Sequence, residues 1–544
     1  MKTILKYIIA SAVATASLSG CIKETFPTNG ATADQVAEST TALDAMVNAI
    51  PGALTLYAQN YSQAWDFGYP AINVSLTCMT GDMVVLGNTG YDWFANWMCN
   101  LYLSEDYVTG YQFWYNYYSW IKSCNDVIST LSAVPEESLN SDQRSYLGIA
   151  LAFRAQFYLD LVRLFEPKEC NGSQVHDYTI PDNIKDLACV IVTENTSEEQ
   201  AKSNPRATVT EVYDQVIFPD LERAERMLAD YARTSKKMPD LSVVYGIAAR
   251  AYLERGSAGV DGASQKAADY ARKAITAGSY SPLTQTQWED PTTGFNSSTS
   301  NSSWMWCTVQ TSETVHNLYS FIAHMSTEED WTNYGKSVCR GINSNLYAEI
   351  ADFRKHSWLD PGLFDYYDYK SCRPDYQTFF ANTLKPLTSI KFRPGQGNYT
   401  TYTVGNAVDH PLMRVEEMYL IEAEALGAQN LSEGVNALNS FMQSYRQPSY
   451  SFSASSLKEL QEEIGLQARI EFWGEGIAFW YKKRLALGIH LANSNCPDDS
   501  YRFEVDGRAP WWNLQIPRTE WQSNSALVGM NNPDPSNTVD NVIE

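Results

Sequence analysis

The chain has 544 residues, of which 44% are hydrophobic and 13% aromatic, and its formal net charge at pH 7 is -23. This length allows a large core, either in two or three lobes or in one domain with long insertions. The hydrophobic content excludes a mainly disordered chain. The negative charge disfavours nucleic acid and anionic membrane surfaces as partners, because both require a cationic protein face.

The N-terminus carries the most specific motif of the sequence. Lys2 and Lys6 precede an apolar or small-residue run over 7–16, and the sequence Leu-Ser-Gly follows just before Cys21. This arrangement resembles the lipobox of bacterial lipoproteins. By that resemblance residues 1–20 are a signal peptide, and Cys21 becomes the mature N-terminus and carries acyl chains that anchor the protein to a membrane. The apolar run is too short to span a bilayer by itself.

Two further features predict that the mature chain lies outside the cytoplasm. Lys23-Glu24 resembles the charged surface-export signal of Bacteroidetes lipoproteins. No later stretch has 18 or more apolar residues, the length that a membrane-crossing helix requires. We therefore expect a soluble mature domain, attached through its lipid and exposed at the cell surface.

The cysteines give no pattern typical of a metal site. Of ten cysteines, one is Cys21 and the other nine cannot all pair with one another. Their spacing contains no Cys-x-x-Cys and no Cys/His cluster of the zinc type. Cys170 and Cys189 flank a loop and could form a disulfide, whereas five others lie among apolar residues and are expected to be buried. No metal or cofactor is predicted.

Two amphipathic patterns follow each other over 111–165 and predict a helical hairpin. In the first, apolar residues recur at alternating steps of three and four from Trp114 to Leu131. Pro135 is expected to end this helix. The second begins near Asn140 or Ser141, either of which is a suitable N-cap. Because the facing stripes are strongly aromatic, we expect them to form a helical core against which later segments pack.

The segment 61–97 is predicted to consist of loops and short strands. Near its end, Asp92, Trp93, Asn96 and Trp97 place rings beside short polar groups on turn-prone backbone. Flat apolar faces next to carboxylates and amides suit a platform for carbohydrate or peptide. The alternative is that these rings plug the top of the helical core, as most large aromatic side chains are buried.

Later segments predict further helices. Thr208 and Glu211 form a capping-box pattern that opens a helix to about Leu228, and Pro219 should kink it. Small residues spaced for close helix approach then recur over 245–274 and again over 415–441. Both stretches resemble divergent tetratricopeptide units, so helical repeats are expected.

A long region of low periodicity, 281–405, separates these repeats. A strand is predicted over 304–309, and its two tryptophans share one face and are expected in the core. The segment 328–341 reads as a loop and carries Trp331. Insertions of this length within repeat arrays commonly carry function.

Several segments together resemble the SusD/RagB family of outer-membrane nutrient-binding lipoproteins. The resemblance covers essentially the whole mature chain, and it depends on the order of the motifs after the lipobox. The segments are Phe153–Val162 on the second hairpin helix, Met413–Leu426 on a late repeat helix, Arg469 with Glu471 and Glu475-Gly476, and Ile516-Pro517 with Glu520.

The resemblance implies a mainly α fold, in which a SusD-like helical scaffold with tetratricopeptide-like repeats carries an irregular lobe with short strands. The SusD-like domain would span 21–544, with an N-terminal part over about 21–205 and a repeat and insertion part over about 206–544. The implied function is capture of oligosaccharides at the cell surface and delivery to a TonB-dependent, SusC-like transporter in the outer membrane. Asp92, Trp93, Asn96, Trp97 and Trp331 occupy the segments where the family places ligand-binding residues.

Alternative functions remain open from the sequence. A peptide-capturing, RagB-like protein would use the same platform, and a pure interaction scaffold would need none of the loop rings. A surface glycosidase requires two carboxylates that face each other across a pocket, which the sequence does not locate. Arg469, Glu471 and Glu475 have the residue types of an acid/base site, but the resemblance makes them a buried structural network. We therefore predict no catalysis.

Overall fold

The computed structural model describes residues 39–60, 63–88, 90, 92–363 and 369–543. The predicted signal peptide and Cys21 lie outside these residues. The scaffold consists of twelve helices of eight residues or more among the described residues: α1 Thr40–Ala53, α2 Tyr69–Cys78, α3 Val108–Ser132, α4 Ser141–Phe165, α5 Phe218–Met227, α6 Leu241–Ser257, α7 Ala263–Ala277, α8 Tyr376–Thr383, α9 Val415–Gly427, α10 Leu431–Tyr445, α11 Leu457–Glu471 and α12 Ile477–Leu485.

The predicted hairpin is confirmed as the pair α3 and α4. Asn140 caps α4, with its side chain accepting from the backbone of Gln143 while the Gln143 side chain accepts from Asn140 N–H. The two helices meet through aromatic rings, and the ring centroids of Trp120 and Phe157 lie 5.5 Å apart. Nearly the whole second half of α4 is buried, which makes the hairpin the centre of the main core.

The helix α2 corrects the expectation of loops and strands at 61–97. All ten of its residues are buried, so the sequence shows no polar face and no amphipathic period. Gly68 precedes it at φ +75°, and a Cβ there would lie 2.2 Å from the carbonyl oxygen of Leu54. Glycine at this position permits both the positive φ and the close approach to Leu54. Pro70 then fits the first turn of the helix, where no hydrogen-bonded N–H is needed.

The capping box at Thr208 and Glu211 is confirmed, and the helix it opens ends at Met227, close to the predicted end. The chain passes through a π-helical segment, Tyr213–Ile217, which ends two residues before Pro219. Proline lacks the N–H that would continue the α-helical hydrogen bonding, and a π turn accommodates that loss. The predicted irregularity therefore takes the form of a widened turn.

The repeats form two stacked helix pairs, α6 with α7 and α9 with α10. Small residues allow the close approach, since a Cβ on Gly434 would lie 2.4 Å from the Cα of Gly427. Stacking rings join α6 to α7, where Tyr252 and Tyr270 lie almost parallel at 5.6 Å. This arrangement agrees with the predicted tetratricopeptide-like pairs.

The strands are short and form two-stranded antiparallel sheets. The four pairs are β1 Met83–Val85 with β5 Arg340–Ile342, β2 Leu187–Val190 with β3 Arg206–Thr208, β4 Trp304–Thr308 with β6 His410–Arg414, and β7 Ile489–His490 with β8 Glu504–Val505. The pair of β4 and β6 lies against the helical core, and Trp304 and Trp306 of β4 are buried as predicted.

A buried charged cluster joins β6 to α11 and comprises Lys391, Arg414, Arg446, Glu471 and Glu475. Arg414 donates to Glu475 at 2.8 Å and to Glu471 at 2.9 Å, and Arg446 donates to Glu471 at 2.8 Å. Lys391 donates to Glu475 at 2.7 Å. The two glutamates are fully buried and paired, as a structural network requires.

Arg469 does not belong to this cluster, although the sequence grouped it with Glu471 and Glu475. Its guanidinium donates to Asp82 at 2.7 Å, and Lys482 donates to the same carboxylate at 3.3 Å. The pair ties α11 to the turn between α2 and β1.

The cysteines that the structure describes are all free, including Cys170 and Cys189, so the possible disulfide between these two is not formed. Cys189 is buried in β2, where burial raises the pKa of its thiol to about 12. Within the described ranges, no helix is long and apolar enough to cross a membrane.

Candidate functional site

A cleft of about 620 Å³ opens at the end of the molecule that carries Trp93. We call it the aromatic cleft. Its walls come from four separate parts of the chain, and its lining residues are Gln63, Ala64, Asn88, Asp92, Trp93, Leu318, Tyr319, Thr332, Asn333, Tyr334, Ser337 and Val338.

Backbone pairing beyond β1 and β5 holds two walls of the cleft together. Gly87 N–H donates to the Val338 carbonyl at 3.0 Å, and Asn88 N–H donates to the Ser337 carbonyl at 2.9 Å. A Cβ on Gly87 would lie 2.1 Å from the Ser337 carbonyl oxygen. Glycine at this position therefore permits the close approach that places Asn88 beside the segment 332–338.

Asp92 and Arg340 form a buried ion pair beneath the cleft. Arg340 donates to the Asp92 carboxylate at 2.5 Å, and the Tyr334 hydroxyl donates to the same oxygen at 3.1 Å. The carboxylate also caps the next helix by accepting from Phe94 N–H at 3.2 Å. Asp92 is thus engaged by three donors, so its role is to fix the cleft wall rather than to offer a free charge to a ligand.

The 3₁₀ helix Trp93–Met98 decides which of the predicted rings face solvent. Trp93 is 44% exposed at the cleft, whereas Trp97 is only 2% exposed and packs on Phe113 with ring centroids 4.8 Å apart. Trp97 therefore belongs to the core, which corrects its assignment to the ligand platform. Asn96 is half-buried on the same turn and does not line the cleft.

Trp331 immediately precedes the cleft residue Thr332 but is not itself among the lining residues. The ring is half-buried, and a Cβ on Gly405 would lie 2.4 Å from its Cη2 atom. Its indole nitrogen is buried without a hydrogen-bond partner among the described residues. The ring is thus partly exposed and lies against Gly405, and its place on the ligand platform stays a prediction.

Rings that the sequence analysis did not assign to the site complete the surface. Tyr319 lines the cleft opposite the Trp93 segment, and it packs with Tyr57 at 5.5 Å and with His316 at 4.7 Å. Tyr334 lies on the wall that carries Asn333. Tyr57 and Tyr319 come from segments 262 residues apart in the chain, so periodicity and local spacing could not have joined them to Trp93.

Amides and hydroxyls surround these rings. Gln63, Asn88 and Asn333 are exposed and line the cleft together with Thr332 and Ser337. Asn333 adopts φ +60°, a left-handed conformation that asparagine tolerates better than most residues. The lining thus combines apolar ring faces with neutral donors and acceptors, and Asp92 is its one carboxylate among the described residues.

The titratable groups under the cleft are held in fixed protonation states. Burial and the nearby Arg340 guanidinium lower the pKa of His324 to about 4, so its ring is neutral at physiological pH. Burial and the Asp92 carboxylate raise the pKa of Tyr334 well above its usual range, so the phenol stays protonated. Neither group is poised to exchange a proton near neutral pH.

Comparison with known proteins agrees with this geometry. Residues 55–253 match the SusD-like_3 family model, which is described as starch-binding and associating with the outer membrane. This part of the chain is therefore similar to the SusD-like family. A search of curated proteins found no match.

Solved structures show the SusD-like fold over most of the chain. A SusD-like carbohydrate binding protein from Bacteroides vulgatus is similar at 22% identity and a TM-score of 0.67, covering 91% of this chain and 98% of its own. A SusD superfamily protein from Bacteroides thetaiotaomicron has 18% identity and a TM-score of 0.64, with 91% and 99% covered. Surface glycan-binding protein A from the same organism, solved with laminarihexaose, has 16% identity and a TM-score of 0.63, also with 91% and 99% covered.

Proposed function

We propose that the chain is a member of the SusD-like family and captures oligosaccharides in the aromatic cleft. The observation that carries the proposal is the exposed Trp93 ring, which lies in one cleft with Tyr319 and Tyr334 and is surrounded by neutral amides. The apolar faces of sugar rings stack on aromatic side chains, and amides donate to and accept from sugar hydroxyls. The laminarihexaose complex of surface glycan-binding protein A supports this ligand class.

The cleft favours capture over hydrolysis. Glycosidases of the common kinds place two carboxyl groups on either side of the bond that they break. Among the described residues that line the cleft, the only carboxylate is Asp92, which is bound by Arg340 and Tyr334. The described lining therefore holds no pair of free carboxyl groups of the kind that a surface glycosidase would use there.

We also propose that the protein works as a lipoprotein of the outer membrane with a transporter partner. The lipobox ending at Cys21 would supply acyl chains, whose burial anchors a protein at a membrane surface. Because a binding protein on a lipid anchor moves no solute across a bilayer, delivery requires a second protein, and by the SusD resemblance this partner would be a TonB-dependent, SusC-like transporter. Extraction under mild detergent should recover the two together, and recovery of the lipoprotein alone would count against the partnership.

A binding screen tests the ligand class. The purified protein should bind members of a glycan array, whereas Trp93→Ala should lose those signals through lost ring contact. Tyr107→Ala is the matched control, because Tyr107 is 42% exposed and lies outside the aromatic cleft. Binding to a peptide pool in place of glycans, with the same loss in Trp93→Ala, would support the RagB-like alternative and overturn the glycan assignment.

The anchor is tested separately by metabolic labelling with a fatty acid. The native protein should incorporate the label, and Cys21→Ala should incorporate none while remaining folded, because the mature domain has its own core. Equal labelling of the two proteins would overturn the lipobox assignment.

A further inference from the structure

A second cleft, of about 510 Å³, lies on the opposite part of α3 from the hairpin core and is separate from the aromatic cleft. We call it the tyrosine cleft. Its walls are α3, the end of β2 with the connection from β2 to β3, and the short helix Arg518–Ser523. The lining residues used below are Tyr111, Trp114, Tyr115, Tyr118, Lys122 and Glu520.

One wall of the tyrosine cleft presents aromatic faces. Tyr111 and Tyr115, one helical turn apart on α3, stack at 5.5 Å with an interplanar angle of 21°, and Tyr115 is 42% exposed. The Tyr118 hydroxyl makes two hydrogen bonds: it accepts from Val190 N–H at 2.9 Å and donates to the Val190 carbonyl at 2.7 Å. Its ring, rather than its hydroxyl, is therefore what it offers to a ligand.

Glu520, on the short helix Arg518–Ser523, also lines the cleft. The sequence analysis named this residue as part of a C-terminal motif and gave it no role. Burial raises the pKa of this carboxyl, and the Trp114 indole N–H is the donor that opposes the rise. Among the described residues, no lysine, arginine or histidine forms an ion pair with it. A half-buried carboxyl with one neutral donor is an unusual arrangement, because buried charges are generally paired.

Two basic side chains near Glu520, one on the cleft lining and one two residues away in sequence, already form ion pairs with other residues. Lys122 pairs with Asp126 at 2.7 Å, one turn along α3. Arg518, two residues before Glu520, pairs with Asp106 at 2.6 Å. The chain thus leaves Glu520 without a counter-ion of its own in a cleft whose other wall consists of ring faces.

We propose that the tyrosine cleft binds an organic cation, in which an ammonium or guanidinium group pairs with Glu520 and packs on the faces of Tyr111 and Tyr115. Aromatic faces carry negative potential that attracts such cations, and a carboxylate strengthens the hydrogen bonds of their N–H groups. A basic amino-acid side chain and an amino sugar both supply this group. The site is distinct from the aromatic cleft, whose polar lining is neutral apart from the paired Asp92.

Paired ligands that differ only in charge test the proposal, with quenching of tryptophan fluorescence or calorimetry as the readout. N-acetyl-arginine amide should bind at least about tenfold more tightly than the citrulline analogue, which has the same shape without the charge. Glucosamine against N-acetylglucosamine makes the same comparison for sugars and distinguishes the two sources of the cation. Equal binding of the charged and neutral members of both pairs would overturn the proposal.

Two substitutions locate the site. Glu520→Gln should weaken binding of the charged ligand by about tenfold or more while leaving the neutral analogue unchanged. Tyr115→Ala should weaken it by about threefold to tenfold, and because Tyr115 is exposed this variant should fold normally even if Glu520→Gln does not. Tyr107→Ala is the control, since Tyr107 is equally exposed at 42% and lies outside the cleft. Unchanged cation binding in Tyr115→Ala would overturn the assignment, whatever the glycan array shows.

Discussion

The charged cluster and the aromatic cleft reverse the usual positions of charged and aromatic side chains. Arg414, Glu471 and Glu475 are completely buried, while Trp93 is 44% exposed. Residue type alone would place the chemistry at the carboxylates and the packing at the tryptophan. Instead, the two carboxylates accept hydrogen bonds from arginines and a lysine. The Trp93 ring, by contrast, is exposed to solvent. Function in this protein is therefore expected at exposed rings, and stability at buried charges.

The largest effect should come from breaking the charged cluster. Arg414→Ala would remove the one cation that Glu471 and Glu475 share and leave each of them with fewer buried cationic partners, and breaking a buried ion pair costs about 3 to 5 kcal/mol. Denaturant unfolding measures this loss. Lys122→Ala is the control, because the exposed pair of Lys122 with Asp126 contributes less than about 1 kcal/mol. A small loss in Arg414→Ala would show that the cluster is not what stabilises this region.

The two tryptophans of the 3₁₀ helix should separate stability from binding. Trp97→Ala removes a buried ring and should lower the free energy of unfolding by about 3 to 5 kcal/mol. Trp93→Ala removes an exposed ring four positions away and should change stability by less than about 1 kcal/mol. Melting temperature and denaturant unfolding of both variants give the comparison. Equal losses would mean that Trp93 is as much a packing residue as Trp97.

The loss of folding stability at acidic pH should depend in part on Glu471. Burial alone would raise its pKa, but the guanidinium groups of Arg446, Arg414 and Arg354 outweigh that effect and hold the pKa well below its usual range. A depressed pKa in the folded state gives stability that is present above the unfolded pKa, about 4.5, and is lost as pH falls through the folded value.

Unfolding free energy measured between pH 7 and pH 3 should therefore decrease toward acid in the native protein. The decrease should be shallower in Glu471→Gln, which has no carboxyl to titrate. Parallel pH curves for the two proteins would contradict the assignment.

A smaller loss of folding stability is expected from a substitution beneath the aromatic cleft. Tyr334→Phe removes one of three donors to Asp92, while Arg340 and Phe94 N–H remain. One hydrogen bond of this kind contributes about 0.5 to 1.5 kcal/mol to stability. Arg340→Ala, which leaves the buried carboxylate without its cation, should cost several times more in the same unfolding assay.

Much of the scaffold was predictable because local rules decide it. The spacing of apolar residues on α3, the proline after it and the capping groups at Asn140 and Thr208 act over a few residues, and each is confirmed. The helix α2 was missed because it is buried on every side, so it has no polar face for periodicity to detect.

For the aromatic cleft, the sequence predicted one of the contributing segments but not which of its side chains face the cleft. The aromatic segment that ends at Trp97 does reach it, but the choice between Trp93 and Trp97 depends on how a six-residue 3₁₀ helix packs against Phe113. The cleft wall also depends on the pairing of Asp92 with Arg340, which are 248 residues apart. Such contacts arise from the tertiary fold and leave no local pattern in the sequence.

The most direct test of glycan capture at exposed rings is a calorimetric titration of an array-selected oligosaccharide into three proteins. The native protein and Tyr107→Ala should bind with the same affinity, whereas Trp93→Ala should bind more weakly by on the order of 1 to 3 kcal/mol at an unchanged melting temperature. Equal affinities for all three proteins would contradict the account, because the ring that solvent reaches would then not be the ring that the ligand contacts.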